Sequence, residues 1–177
     1  MKAFELTGLK LITVAIILLG VCLFIISYLT GLSYGDSVSV CNDGLWHHVY
    51  NPTRLQVHQM CTSVTGVIVD ATDGKRKDGV RKEADGDCHG WLKLDPGQDQ
   101  YLNDGNRSNE DGNLVFEIVC LFPVTQADAI KSCLHYRNKV KLPPVGSHVK
   151  ISGSWVQDDN HGKWNEIHPV SDIEVLP

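Results

Sequence analysis

Alternation of apolar and polar residues is densest between Gly146 and Val175, and that stretch sets the frame for the rest of the chain. His148, Lys150, Ser152 and Ser154 alternate with Val149, Ile151 and Gly153, the period-two signature of a strand with one buried face. Trp155 and Val156 carry the pattern into the polar run Gln157 to Gly162, which predicts a reversal. After the turn, Trp164, Glu166 and His168 share one face and Asn165 and Ile167 the other, and alternation resumes at Ile173 and Val175. A second strand is therefore expected, interrupted at Pro169. On it Glu166 and His168 point the same way, with α-carbons about 6–7 Å apart by strand rise, close in sequence to His161 at the turn.

Further strands precede this hairpin. Within a connector spanning 36–60, Arg54 to His58 reads as a short edge strand. Cys61 to Thr72 has Val64, Gly66 and Ile68 on one face and Thr65, Val67 and Val69 on the other, a core strand with a glycine of the kind that lets a barrel strand bend. A charged excursion, Asp73 to Ala84, and the turn Asp85-Gly86-Asp87 lead into a second strand, Cys88 to Leu94. An Asn, Asp and Gly-rich loop over 95–113 precedes a third, Leu114 to Leu121. The period then changes. Ala127, Ile130, Cys133 and Leu134 are spaced as a helix stripe, with Thr125 placed as N-cap and Asp128 at the third helical position, so a helix of two to three turns is expected over 126–134. Leu142-Pro143-Pro144-Val145-Gly146 ends it.

Three strands, a helix and two strands is the order of the five-stranded Greek-key barrel of oligonucleotide/oligosaccharide-binding (OB) domains, whose helix lies between the third and fourth strands. The phrase Pro144 to Gly153 resembles the fourth-strand phrase of many OB domains, and the resemblance covers residues 61–177 at the level of strand order. Asp85-Gly86-Asp87-x-His89 together with His161-Gly162-x-Trp164-Asn165-Glu166-Ile167-His168-Pro169-Val170 also resembles a prokaryotic family of secreted or membrane-anchored proteins, which carries no activity over to this chain. Asp85-Gly86-Asp87 further resembles the Asp-Gly-Asp-Thr turn of staphylococcal-nuclease-like OB enzymes. Cys88 stands in place of the threonine, and the arginine and glutamate those nucleases need have no counterpart after the second strand.

The amino-terminal part is of a different kind. No charged residue lies between Lys10 and Asp36, and Leu11 to Leu32 is long enough to cross a hydrocarbon core about 30 Å thick as a helix of about 20 residues. Residues 1–35 are read as a cytoplasmic stub and uncleaved transmembrane signal anchor, and 61–177 as the barrel domain. Lys2 and Lys10 precede the span while the first charge after it is Asp36, so positive-inside logic makes the chain single-pass in the cell membrane, with everything after residue 35 extracytoplasmic. Five of the six cysteines follow the span, none in a zinc-finger spacing, which favours oxidised pairs. The expected bonds are Cys120 with Cys133 and Cys41 with Cys61, leaving Cys88 as the odd thiol.

A formal charge of −5, dispersed over many turns, argues against a nucleic-acid surface. Trp91 and Trp155 could be stacking platforms beside a basic loop of Lys75, Arg76, Lys77, Arg81 and Lys82, but barrel tryptophans are more often core and the loop reads as a solvated tip. The polar residues that could converge are Asp87, His89, Glu117, Asp158, His161, Glu166 and His168. Of these His89, Glu117, His161, Glu166 and His168 form a candidate set for a divalent metal; the plainer reading, which isolated polar residues in turns favour, is that Glu166 and Asp158 hydrogen-bond turn backbone, His168 packs before Pro169, and Asp85 and Asp87 make the hairpin turn. The expected function is an extracytoplasmic binding or assembly module, or an accessory subunit that packs its span against other membrane subunits through Gly20. The alternative is a metal-dependent hydrolase using His89, Glu117, Glu166 and His168.

Overall fold

A computed structural model describes residues 40–71 and 81–177. The expected span at 11–32 and the basic residues Lys75, Arg76 and Lys77 lie outside the described residues. Among those described, no helix is long and apolar enough to cross a membrane.

The domain is mainly β. Its strands are β1 (Leu55–Val69), β2 (Arg81–Lys82), β3 (Cys88–Leu94), β4 (Leu114–Ile118), β5 (His148–Asp158) and β6 (Asn165–Val175). They form one six-stranded sheet in the order β1-β5-β6-β4-β3-β2, and β1 pairs additionally with β3, so five strands complete a ring of pairings. All ring contacts are antiparallel except β4 with β6. The ring closes at Gly66, opposite both Val149 of β5 and Leu94 of β3. A Cβ there would stand 2.3 Å from the Lys93 carbonyl oxygen, so only glycine permits the approach.

Each ring strand sends alternate residues into one core: Val64 and Ile68, Cys88 and Leu92, Leu114, Phe116 and Ile118, Val149 and Ile151, Ile167 and Val170. The intervening residues of β3, β4 and β6 point the other way. That second face is buried too, because β4 is buried at every position and β6 from Asn165 through Val170. Smaller clusters cover it, one built from Leu45, Val49 and Val156 and another from Ala71, Trp91 and Val115.

Several expectations are corrected. The separate edge strand and first core strand are one continuous β1, because Leu55 to Val67 find partners along the whole of β5. Pro169 does not interrupt β6. The β5–β6 register shifts around Gly153, opposite the cis His168–Pro169 bond, and a Cβ on Gly153 would lie 2.4 Å from the Pro169 carbonyl, so a bulge accommodates the missing N–H. The third strand stops at Ile118, where Cys120 takes a positive φ of 55° and turns the chain toward its disulfide partner.

No helix forms over 126–134. The segment is a train of three-residue turns, with Ala129 N–H bonded to Gln126, Ser132 to Ala129 and Tyr136 to Cys133. Two things override the helical stripe. The N–H groups of Thr125 and Gln126 both go to the Ala84 carbonyl, as does the Thr125 hydroxyl that would have capped the helix. Moreover Ala129 is the buried residue, while Ile130 and Leu134 of the stripe stay exposed. A short helix, α1 (Asp104–Asn109), lies instead in the Asn-rich loop, where Asn103 and Asn106 cap each other reciprocally.

Cys41 is bonded to Cys61 and Cys120 to Cys133, and Cys88 is a buried free thiol.

Candidate functional site

The second face of β3, β4 and β6 carries a buried ionic cluster, and each member is set there by a local device. Period-two geometry puts Asp87 and His89 beside each other on the β3 side, opposite Cys88, and the β3–β4 register pairs His89 directly with Glu117. On β6 the same alternation delivers Glu166 and His168, both fully buried. Arg54 enters from a 3-10 turn, Pro52–Arg54, started by Asn51 in left-handed conformation with Pro52 at the first position. The β1–β5 register sets Leu55 against Asp158, which brings the neighbouring Arg54 guanidinium onto the Asp158 carboxylate. The buried Asn106 of α1 ties the loop to the start of β6. It accepts from the Asn165 N–H at 2.9 Å and donates to the carbonyls of Asn165 at 2.8 Å and Asn113 at 2.9 Å.

Glu117 is the hub. One oxygen faces His89 Nδ1 at 3.1 Å, and the other lies 3.0 Å from His168 Nδ1 and 3.8 Å from Arg54. His168 Nδ1 also reaches Glu166 Oε1 at 2.9 Å, and Glu166 Oε2 accepts from the Trp164 indole at 3.0 Å. His89 Nε2 meets the Arg81 guanidinium and lies 3.6 Å from Glu110, which in turn accepts from the Trp91 indole. At the other end Asp158 accepts the backbone N–H groups of Asn160 at 2.8 Å and His161 at 3.1 Å, and meets the His161 ring at 2.9 Å. Asp87 accepts the Cys120 N–H at 2.7 Å.

Burial alone would push both imidazoles toward neutrality, but the carboxylates outweigh it. His168 is lifted to about 10 by Glu117 and Glu166, and His89 to about 9 by the carboxylates of Glu110 and Glu117, against the opposing Arg81. Burial likewise works to raise Glu117, yet His168 and His89 hold its carboxyl well below the usual range. Asp87 goes the other way: burial drives it well above the usual range despite the pull of His168. Among the members the five carboxylates Asp87, Glu110, Glu117, Asp158 and Glu166 are all buried, and they face two guanidiniums.

A cleft of about 400 Å³ opens onto this cluster. Arg54, His89 and Glu117 supply its buried floor, and Trp164, His161, Tyr50, Asn160, Gln126 and Arg81 line its walls. Its lining mixes cations, carboxylates and amides with the rings of Trp164 and Tyr50, so it suits a small ligand that carries both hydrogen-bonding groups and an apolar face.

Of the residues expected at a site, His89, Glu117, Glu166 and His168 come together in one hydrogen-bonded group. His161 does not join them; its side chain is 59% exposed on the cleft wall, linked to them through Asp158 and Arg54 and through the Trp164 ring it stacks on. Asp87 and Asp158 cap backbone as turn residues do, yet each is 1% exposed and inside the ionic group. Arg54 and Glu110 were not expected there, since neither sits in a pattern that marks it. Trp91 is 8% exposed within the core, and Trp155 packs edge-on to Tyr101, so neither is a free stacking platform. No protein-family model, curated protein or solved structure matches this chain. The functional reading therefore rests on the site alone.

Proposed function

We propose that this domain is an extracytoplasmic binding module with an OB-like barrel, tethered by residues 11–32 with the amino terminus in the cytoplasm. The barrel reading is supported by the ring β1-β3-β4-β6-β5 with its single parallel contact. The location is supported by the disulfides Cys41–Cys61 and Cys120–Cys133, which persist in oxidising compartments. Cysteine introduced at the exposed Ser108 is labelled by an impermeant maleimide on intact cells if this orientation holds. Absence of labelling reverses it.

The observation that carries the binding reading is the cleft. Its mixture of guanidinium, carboxylate and amide groups beside the Trp164 ring matches a neutral, hydroxyl-rich ligand of the saccharide class, whose hydroxyls take the polar groups and whose ring face lies on the indole. Titration of the purified full chain with a panel of mono- and oligosaccharides, followed by tryptophan emission and calorimetry, tests it. Trp164→Ala is expected to weaken the best binder about tenfold, roughly 1.4 kcal/mol. A panel that neither changes the emission nor releases heat refutes the assignment. A span that packs against other membrane subunits through Gly20 would make this module their accessory subunit.

A second reading, a metal-dependent hydrolase, is favoured by one observation: Glu117 and His89 line the cleft while lying next to the buried His168 and Asp87. Metal-stimulated cleavage of an activated phosphodiester, lost in Glu117→Gln, supports it.

A further inference from the structure

Four buried atoms of the ionic cluster make no hydrogen bond: the cationic Arg54 Nη1 and Arg81 Nε, and the two ligand-type atoms Asp87 Oδ2 and His168 Nε2. The last two face each other across 3.9 Å, beyond hydrogen-bond length. Buried polar atoms are rarely left so, because each forfeits its hydration with nothing in return. Both side chains are otherwise fully engaged. Asp87 Oδ1 is held by the Cys120 N–H at 2.7 Å, and His168 Nδ1 is buttressed by Glu166 at 2.9 Å and Glu117 at 3.0 Å. A carboxylate on one ring nitrogen, with the other nitrogen aimed at a free carboxylate oxygen, is the arrangement in which proteins present an imidazole to a metal.

We propose that Asp87 and His168 hold a divalent cation beneath the floor of the cleft, with Glu117 exchanging its contact to His168 Nδ1 for the ion as third ligand. Ligand atoms of the three lie within 4.8 Å of one another. Two metal–ligand bonds of about 2.1 Å span the 3.9 Å gap at an angle of about 135°, and closure by about half an ångström makes it tetrahedral. One imidazole and two carboxylates, with no thiolate, select zinc or manganese over a soft metal. The neighbouring grouping of Asp87 with Cys120 and Cys133 offers no thiolate, because those cysteines are bonded to each other. Glu117 lines the cleft and so gives an entering ion a route to the buried pair.

This inference is independent of the saccharide reading. The test uses the purified full chain, stripped with EDTA and desalted, then dialysed against zinc chloride or manganese chloride. Metal content by mass spectrometry and the thermal midpoint are measured side by side. The wild type is expected to retain one ion per chain and to melt higher when loaded. His47→Ala, which removes an exposed imidazole, keeps the ion, whereas Asp87→Asn and His168→Gln lose it. Because either substitution could unfold the protein, cobalt loading of the wild type supplies a second readout: visible bands of a nitrogen- and oxygen-ligated ion are expected. A stripped wild type that takes up neither metal and melts at the same temperature with and without them overturns the proposal, leaving a bridging water in the gap. Saccharide binding that survives stripping leaves the cleft reading standing whichever way the metal result falls.

Discussion

Arg54 is the residue whose removal tests the ionic cluster most directly. The residue is 8% exposed, and its guanidinium pairs with Asp158 and lies 3.8 Å from Glu117 and 3.9 Å from Glu166. Arg54→Met keeps the length and apolar stem of the side chain and removes only the charge and its donors. Glu117 would keep both imidazoles and Glu166 would keep His168 and Trp164, so the loss falls mainly on Asp158, left with two backbone N–H groups and His161. Breaking one side of a buried pair costs about 3–5 kcal/mol, a large part of the roughly 5–15 kcal/mol that holds a domain together. Urea denaturation in EDTA at pH 7 should show it as a midpoint lowered by about 2 M, taking a slope near 2 kcal/mol per M. An uncompensated buried carboxylate regains neutrality by taking up a proton, so its folded pKa rises above the unfolded one. A group shifted that way contributes stability below the unfolded value and loses it as pH rises through the folded value. The deficit of the variant relative to wild type should therefore shrink between pH 7 and pH 5. Adding Asp158→Asn should recover part of it, because replacing both charges costs less than orphaning one. A single variant within about 1 kcal/mol of wild type at pH 7, against the 3–5 expected of a buried pair, refutes this reasoning. So does a deficit that does not change with pH.

Three further outcomes follow from the same structure. Replacing Cys120 and Cys133 together by Ala removes a bond that closes a separation of 13 residues, and should cost about 3 kcal/mol in a urea melt under non-reducing conditions. Cys88 is fully buried and burial pushes its thiol up to about 12, so native protein at pH 8 should leave it unmodified by iodoacetamide, with labelling only in denaturant. Rapid native labelling would mean that β3 opens. Gly66→Ala drives a methyl to within 2.3 Å of the Lys93 carbonyl and should destabilise by about 1–3 kcal/mol, read as a lowered thermal midpoint.

The strands were legible where one face meets the apolar core. Val64 and Ile68, Cys88 and Leu92, and Val149 and Ile151 alternate cleanly because every second residue points inward, and each pair is buried. Legibility failed where a tertiary partner outcompeted a local preference. The stripe at Ala127, Ile130, Cys133 and Leu134 has good helical spacing, but its cap groups are spent on Ala84 and Cys133 is pulled to Cys120, so turns replace the helix. The helix that does form, at Asp104–Asn109, hides in a composition that reads as loop because its stabilisers are asparagines whose side chains bond backbone both locally and across the domain.

The candidate site was half legible, for a reason that belongs to period-two patterns in general. A polar face on a strand reads as a solvated face, and Glu166 with His168 would normally be one; here both are fully buried because the segment from Leu45 to Arg54 and the loop carrying Glu110 cover that side of the ring. What distinguishes a buried polar face from a wet one is complementarity, a carboxylate for every cation at hydrogen-bond range. That property depends on the strand register rather than on the order of residues along one strand. Glu166 and His168 are two apart and could be paired from sequence. His89 and Glu117 become partners only through the β3–β4 register, and Arg54 reaches Asp158 only because β1 runs on past its expected start to meet the far end of β5. The pair left unsatisfied, Asp87 and His168, is the point at which that complementarity breaks down. Two ligand-type atoms that face each other unsatisfied across 3.9 Å inside a buried network call for an occupant, and that is why the decisive measurement on this protein is of its metal content.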